Sequence, residues 1–346
     1  MMNNEEIKKI KNLFSEKKEI VIIPHKNPDG DAIGSSTALK YFLEKYDHNI
    51  SIISPNDFPK FLKWMDYKNE IEVFSENNKC IEKLLNADVI FTLDFNTLKR
   101  ISKIKPYIEK SKAKIIMIDH HENPDNYADF MYSNPKMSST AEMVYHFIEG
   151  LGGLSKIDKN IANSLYAGIL TDTGSFKFPS TTHVTHEVVS NLLKTGISNS
   201  EIYDKIYDDN KPEKIQLLSY ALRKIKILED FNTCYISLSQ DELDDYKYEK
   251  GDTEGIVNYG LSIKNIKFAI IFMENSAENI IRISLRSKGS FDVNSFSKEI
   301  FGGGGHKNAA GAISKKSLDE TIKYFLKSLN QYKNHLNNKI WNQNSF

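Results

Sequence analysis

Cysteine is scarce in this 346-residue chain, where only Cys80 and Cys234 occur, far apart. Two distant thiols exclude a disulfide framework and make a reducing compartment the expectation. A surplus of one charge sign is lacking as well, since Lys and Arg total 46 and Asp and Glu also total 46. Without a basic excess there is no reason to expect binding to long duplex nucleic acid, although a local basic pocket for a small anion stays open. No apolar run approaches the ~18 residues needed to span a bilayer. The N-terminal stretch MMNNEEIKKIKNLFSEKKE is charged throughout and lacks the apolar core of a signal peptide. The chain is therefore expected to be soluble and cytoplasmic, with no membrane partner. Internal repeats and low-complexity segments are also missing.

Hydrophobic residues make up 40% of the chain, enough for packed cores. The length suits two domains. In the first part, strand-like and helix-like segments alternate. Residues 4–17 have an amphipathic helical period. Residues 19–24, 49–55, 87–94 and 113–119 read as buried strands, and 32–46, 138–150 and 158–171 as helices. Such alternation predicts an α/β fold with a parallel sheet covered by helices on both faces. From 183 to 229 the pattern turns helical. Strands return at 233–239, 267–275 and 280–287, interleaved with helices at 253–263, 293–301 and 317–332. This predicts a smaller C-terminal α+β domain. The expected organisation is a metal-binding domain over 1–190, a helical connector over 191–229, a second domain over 230–332 and a polar tail over 333–346, where Trp341 would dock.

Five polar islands stand against this background. They are His25-x-x-x-Asp29-x-Asp31, Asp94, Asp119-His120-His121, Asp172 and the run Gly302-Gly303-Gly304-Gly305-His306. The first four follow or flank compact apolar runs, the position where an open α/β sheet builds its ligand site. In HKNPDGD, Pro28 and Gly30 let the chain fold back so that three donors converge. Adjacent histidines after an acidic residue at a strand end are costly unless partnered. Asp172 at a helix C-terminus sits where the helix is already negative, and a nearby cation would offset this. The donors are oxygen and nitrogen with no thiolate, which suits Mn²⁺ or Mg²⁺. The four glycines would let the backbone approach an anion with its N–H groups. Arg286 offers a forked donor suited to phosphate. His183 and His186, three apart, read as the start of a helix, and His48 and His146 as structural.

PHKNPDGDAIGS, LDF, IDHH followed by SSTAE, and GILTDTGSFKF resemble the motifs of the DHH phosphoesterase superfamily. GGGGH with Ala309-Ala310-Gly311 resembles the signature of its DHH-associated C-terminal domain. Size and layout are similar to the stand-alone NrnA-type enzymes, which degrade short oligonucleotides and, in many members, dephosphorylate 3′-phosphoadenosine 5′-phosphate. The resemblance implies two Mn²⁺ ions, with Mg²⁺ or Co²⁺ as substitutes. His25, Asp29 and Asp94 would hold one ion. Asp31, Asp94, His120 and Asp172 would hold the other, with Asp94 bridging. His121 would contact the reacting phosphate, and Asp119 would support the histidines. Arg286, Ser287, Gly302 to Gly305 and His306 would bind substrate. Expected partners are short single-stranded RNA or DNA oligonucleotides or dinucleotides such as pApA, and a second copy in a homodimer. After Asp94, Phe95-Asn96 departs from the small hydroxyl residues of many relatives. Alternative readings are a cyclic di-AMP phosphodiesterase, a family II pyrophosphatase (against which the GGGGH motif speaks), a RecJ-type processive exonuclease, and a non-catalytic nucleotide sensor.

Overall fold

The computed structural model describes residues 2–337. The chain divides into two compact units, residues 1–209 and 210–346.

The first unit is built on a six-stranded parallel sheet. Its strands are β1 (Glu19–Pro24), β2 (Asn49–Ser54), β3 (Ile71–Val73), β4 (Val89–Leu93), β5 (Lys114–Asp119) and β6 (Phe130–Ser133), in the order β3-β2-β1-β4-β5-β6. Its helices are α1 (Asn4–Leu13), α2 (Gly30–Leu43), α3 (Asn78–Asn86), α4 (Lys105–Lys110), α5 (Thr140–Gly150), α6 (Lys159–Asp172), α7 (His183–Leu193) and α8 (Asn199–Tyr203). The central strands bury both faces, as parallel strands must. Ile20, Ile22, Phe91, Ile116 and Ile118 point to the core shared with α2, α5 and α6, while Val21, Ile23 and Ile90 point to a second core under α3 and α4. The expected parallel α/β architecture is therefore present. β3 and β6 went unread in the sequence because each is a short edge strand without an alternating run.

Sheet order reverses between β1 and β4. The chain runs outward from β1 through β2 to β3, then returns to lay β4 on the other side of β1. In open α/β sheets this reversal leaves a crevice at the strands' C-terminal ends.

The second unit has α9 (Pro212–Arg223), β7 (Lys226–Leu228), β8 (Thr233–Leu238), α10 (Gln240–Asp245), α11 (Ile256–Ser262), β9 (Phe268–Asn275), β10 (Ile280–Ser287), α12 (Val293–Phe301), β11 (Gly304–His306), β12 (Ala309–Ser314) and α13 (Leu318–Asn337). Its mixed sheet runs β11-β12-β10-β9-β8-β7, with only the β8–β9 pair parallel. Phe268, Ile270 and Phe272 face one core with Phe296 and Phe325, while Ala269 and Ile271 face the other with Leu217 and Ile256. The unit boundary falls inside the expected connector, with α8 in the first unit and α9 in the second. Helical period ends at Arg223, and the nearby Lys-Ile-Leu triplet pairs antiparallel with β8. Of the expected polar tail, 333–337 completes α13, and 338–346, with Trp341, lies outside the described residues.

Candidate metal centre

Each candidate ligand of the first unit is carried to one place by a different element end. His25 follows β1, Asp94 follows β4, and Asp119, His120 and His121 end or follow β5. These are the strand ends flanking the reversal. Asp29 caps α2, accepting from Asp31 N and Ala32 N at 3.1 Å each, so the HKNPDGD loop is a strand-to-helix turn. Asp31 lies in the first turn of α2, and Asp172 is the last residue of α6.

The donors converge on Asp94. His25 Nε2 lies 3.4 Å from Asp94 Oδ2 and 3.8 Å from Asp29 Oδ2. His120 Nε2 lies 3.6 Å from Asp94 Oδ1, 3.5 Å from Asp172 Oδ2 and 4.0 Å from Asp31 Oδ2. These separations exceed hydrogen-bond length. They suit donors sharing one cation, because two bonds of ~2.1 Å at right or wider angles hold donor atoms roughly 3.0–3.6 Å apart. Groups of the first unit close enough to hold an ion include His25, Asp29 and Asp94, then Asp31, His120 and Asp172, and also Asp94, Asp119 and His121. Asp31 and Asp94 are almost wholly buried, so their charge calls for a cation.

Backbone carbonyls orient two of the candidate rings. His25 Nδ1 donates to Lys26 O at 2.8 Å, and His120 Nδ1 to Met137 O at 3.3 Å, so each Nε2 is turned toward the carboxylates. His121 is arranged differently. Its Nδ1 binds Asp119 Oδ1 at 2.7 Å, and Asp119 is fully buried with Oδ2 unpartnered. Such outer hydrogen bonds set ring orientation in metal sites.

Titration behaviour follows the crowding. Burial pulls the His25 imidazole down, yet the adjacent Asp29 and Asp94 carboxylates carry it up to about 10. Burial opposes ionisation of Asp94, but His25, His121 and His120 together hold its carboxyl below the ordinary range. Asp31 is pushed well up by burial and by Asp94, Asp172 and Asp29. Asp172 rises to about 6, through burial and the Asp94 and Asp29 charges, against the pull of His120. Like charges crowded into one buried pocket push its carboxyls apart in titration.

Several supporting groups had no role in the sequence reading, although SSTAE stood out as a motif. The N-terminus of α5 grips two ligands at once. Thr140 N and Ala141 N donate to the two oxygens of Asp31 at 2.6 and 2.7 Å, and Thr140 Oγ1 donates to Asp94 Oδ1 at 2.9 Å. A helix N-terminus suits such anions. Gly168 on α6 leaves room for this grip, since a Cβ there would meet the Ala141 side chain at 2.6 Å and Asp31 Oδ1 at 3.1 Å. Asp94 itself has φ of +65°, a conformation aspartate tolerates better than most residues, held by its N–H bond to Ile118 O at 3.1 Å. The Phe95-Asn96 departure has local consequences only. Phe95 is buried and stacks on Tyr127, and Asn96 Nδ2 donates to Glu122 O at 2.6 Å.

In the second unit, Arg286 is the penultimate residue of β10, opposite Ala309, with Nη1 donating to Leu285 O at 3.0 Å. Ser287 Oγ donates to Phe291 O at 2.6 Å and accepts from Asn308 Nδ2 at 2.8 Å. The glycine run is more structured than an open loop. Gly302 closes α12, while Gly304, Gly305 and His306 pair with Gly311, Ala310 and Ala309. Arg286, the glycine hairpin and His306 thus share one end of this sheet. His183 and His186 lie at the start of α7, with His186 against the Phe176 ring. His146 pairs with Glu149, and His48 accepts from Lys18 N.

Residues 19–169 match the DHH family, N-terminal domain, and residues 232–334 match the DHHA1 domain. The chain is 31% identical over 297 residues to the probable bifunctional oligoribonuclease and PAP phosphatase NrnA of Streptococcus mutans, covering 85% of this chain and 89% of that protein. It is 29% identical over 297 residues to the bifunctional oligoribonuclease and PAP phosphatase NrnA of Bacillus subtilis, covering 85% and 88%. The solved structure of an exopolyphosphatase-related protein from Bacteroides fragilis is similar with a TM-score of 0.94 at 38% identity, covering 98% of this chain and 99% of that one.

Proposed function

This chain belongs to the DHH family and carries a DHHA1 domain, and on that premise we propose that it is a manganese-dependent phosphoesterase. Its substrates are short oligonucleotides and linear dinucleotides such as pApA, cut to mononucleotides, with 3′-phosphoadenosine 5′-phosphate converted to AMP as a second activity. The observation that carries this reading is the convergence of His25, Asp29, Asp31, His120 and Asp172 around a buried Asp94. Relatives named for oligoribonuclease and PAP phosphatase activity, aligned over most of both chains, support the substrate class.

His25, Asp29 and Asp94 would hold one divalent ion, and Asp31, Asp94, His120 and Asp172 the other. When bound, such ions lower the pKa of water toward neutrality and offset charge on the phosphoryl oxygens. The chain's own residues do the rest. The α5 N-terminus and Thr140 fix Asp31 and Asp94, so the carboxylates need no rearrangement. Asp119 fixes the His121 ring, which would contact the reacting phosphate. In the second unit, Arg286, Ser287, Gly302 to Gly305 and His306 would capture the nucleotide terminus. The DHHA1 domain argues against the pyrophosphatase reading, and the complete donor set against the non-catalytic sensor.

The test is release of mononucleotide from pApA by the purified chain with Mn²⁺, with 3′-phosphoadenosine 5′-phosphate and cyclic di-AMP assayed alongside. Turnover of pApA that chelator abolishes and Mn²⁺ restores is expected. Tight nucleotide binding without turnover would replace the enzyme reading by the sensor, and preference for the cyclic form would overturn the linear-substrate assignment.

A further inference from the structure

Immediately beyond Asp172 the backbone takes up a conformation that side chains resist. Gly174, Ser175 and Phe176 have φ of +56°, +60° and +65° in succession. Two of these three residues carry side chains, and left-handed residues persist only where their surroundings over-determine them. Here the surroundings do so. Ser175 N donates to Leu170 O at 2.9 Å, Phe176 N to Thr173 Oγ1 at 3.0 Å, and Lys177 N and Phe178 N both to Thr173 O at 2.9 Å. Thr173 is fully buried and anchors the turn through Oγ1 to Ile169 O at 2.6 Å.

The turn gives its two phenyl rings different surroundings. Phe176 packs inward between Tyr166 and His186, at centroid distances of 6.1 and 5.6 Å. Phe178 stays 40% exposed. Its ring is nevertheless fixed, lying over Gly174 where a Cβ would come within 2.7–3.0 Å of three ring carbons. Glycine at 174 therefore serves both the positive φ and the seat of the ring. Because Phe178 N is bonded to the carbonyl of Thr173, the residue after Asp172, the backbone that carries the exposed ring stays beside the end of α6, where Asp172 lies.

We propose that Phe178 is a stacking platform for a nucleobase of the substrate, an inference that rests on the phosphoesterase reading above. A phenyl face offers no hydrogen-bond donor or acceptor. Beside a site that handles phosphate esters, it suits a flat apolar face, and every nucleobase has one. Discrimination between bases is therefore not expected from this residue, but discrimination between a base-bearing and a base-free diester is.

The experiment compares the wild type with Phe178→Ala, Phe178→Leu and Phe178→Trp on pApA and on the abasic diester in which hydrogen replaces both adenines. Stacking of one base gives a factor of about 5 to 150. The ratio of kcat/KM for pApA over the abasic diester should fall by that factor in Phe178→Ala, mostly through KM. It should fall partly in Phe178→Leu, which keeps bulk over Gly174, and be retained in Phe178→Trp. In Phe178→Trp, AMP should also quench tryptophan emission saturably beyond any change in the wild type. A ratio within twofold of wild type in Phe178→Ala, or equal losses on both diesters, would overturn the platform. The quenching arm needs no turnover, so it separates failure of this inference from failure of the phosphoesterase reading, which shows as a wild type inert on pApA.

Discussion

Thr140→Val removes one hydroxyl from the metal centre and little else. Valine keeps the shape of threonine, and the backbone N–H bonds from residues 140 and 141 to Asp31 remain in place. What is lost is the 2.9 Å bond from Thr140 Oγ1 to Asp94 Oδ1, made where both residues are almost wholly buried. A hydrogen bond to a charged group is worth about 1.5–3 kcal/mol, a factor of roughly 10–150 in an equilibrium constant. Loss of a group that orients a metal ligand costs roughly 10–100-fold in affinity or activity by an independent measure. The two ranges agree, so a loss of about 10–100-fold is expected in Mn²⁺ affinity by calorimetry, in kcat/KM on pApA, or divided between them. Thr140→Ser restores the donor and should recover most of it. Circular dichroism and thermal melts of the metal-free proteins control for folding. A Thr140→Val variant within threefold of wild type in both measurements would refute the idea that the α5 N-terminus presets Asp94.

Asp94→Ala should leave less than about a tenth of wild-type activity at saturating Mn²⁺, because in the proposed arrangement both ions would lose a shared ligand; metal content and rate together check this. Asp172→Asn should stabilise the metal-free protein at neutral pH. The Asp172 carboxyl is raised to about 6 from 3.8, so the folded state holds its proton more tightly than the unfolded chain. Its ionisation therefore removes stability as pH climbs from about 4 to 6, and the loss is complete at pH 7, on the order of 1–3 kcal/mol and a rise of a few degrees in melting temperature for Asn. Added Mn²⁺ should raise the wild-type melting temperature more than that of Asp172→Asn, and the reverse order would be incompatible with Asp172 as a ligand. Arg286→Ala and His306→Ala should raise KM while bound manganese, read by elemental analysis, stays unchanged. On a length ladder at fixed salt, rates should be highest for about two to five nucleotides and fall for a 24-mer, since a chain with balanced charge has little surface to follow a long backbone.

The candidate metal centre was readable in the sequence because its proposed ligands sit at the ends of strongly patterned elements. Apolar runs such as VIIP and KIIMI announce buried strands, and the residues just past a buried strand in a parallel sheet face the crevice. That logic reached His25, Asp94 and the Asp119-His120-His121 triplet directly. It could not reach the order of the strands. Nothing in the residues of β2 or β3 says that they lie to one side of β1 while β4 lies on the other. Yet that reversal is what sets His25 beside Asp94. Short edge strands such as β3, β6 and β7 escaped for a related reason. Three or four residues carry too little alternation, and pairing to a neighbour rather than their own pattern defines them.

Supporting interactions were the least legible, and the physical cause is their long range. Asp31 and Thr140 are separated by 109 residues, yet the backbone N–H of Thr140 is what compensates the buried Asp31 carboxylate. A backbone donor has no side-chain signature, so only the fold reveals it. The same holds for Lys26 O and Met137 O, which select the ring nitrogens of His25 and His120. Side chains that meet a ligand are thus written in residue type, whereas the groups that aim them are written in topology. This division explains why SSTAE was recognisable as a motif before any of its atoms had a task. Its threonine and alanine act through backbone N–H groups at a helix start, and its hydroxyl reaches a carboxylate that lies beyond a different strand. A variant that preserves every ligand but shifts α5 should therefore lose metal affinity as surely as one that deletes a ligand, and the Thr140→Val and Asp94→Ala measurements together place both effects on one scale.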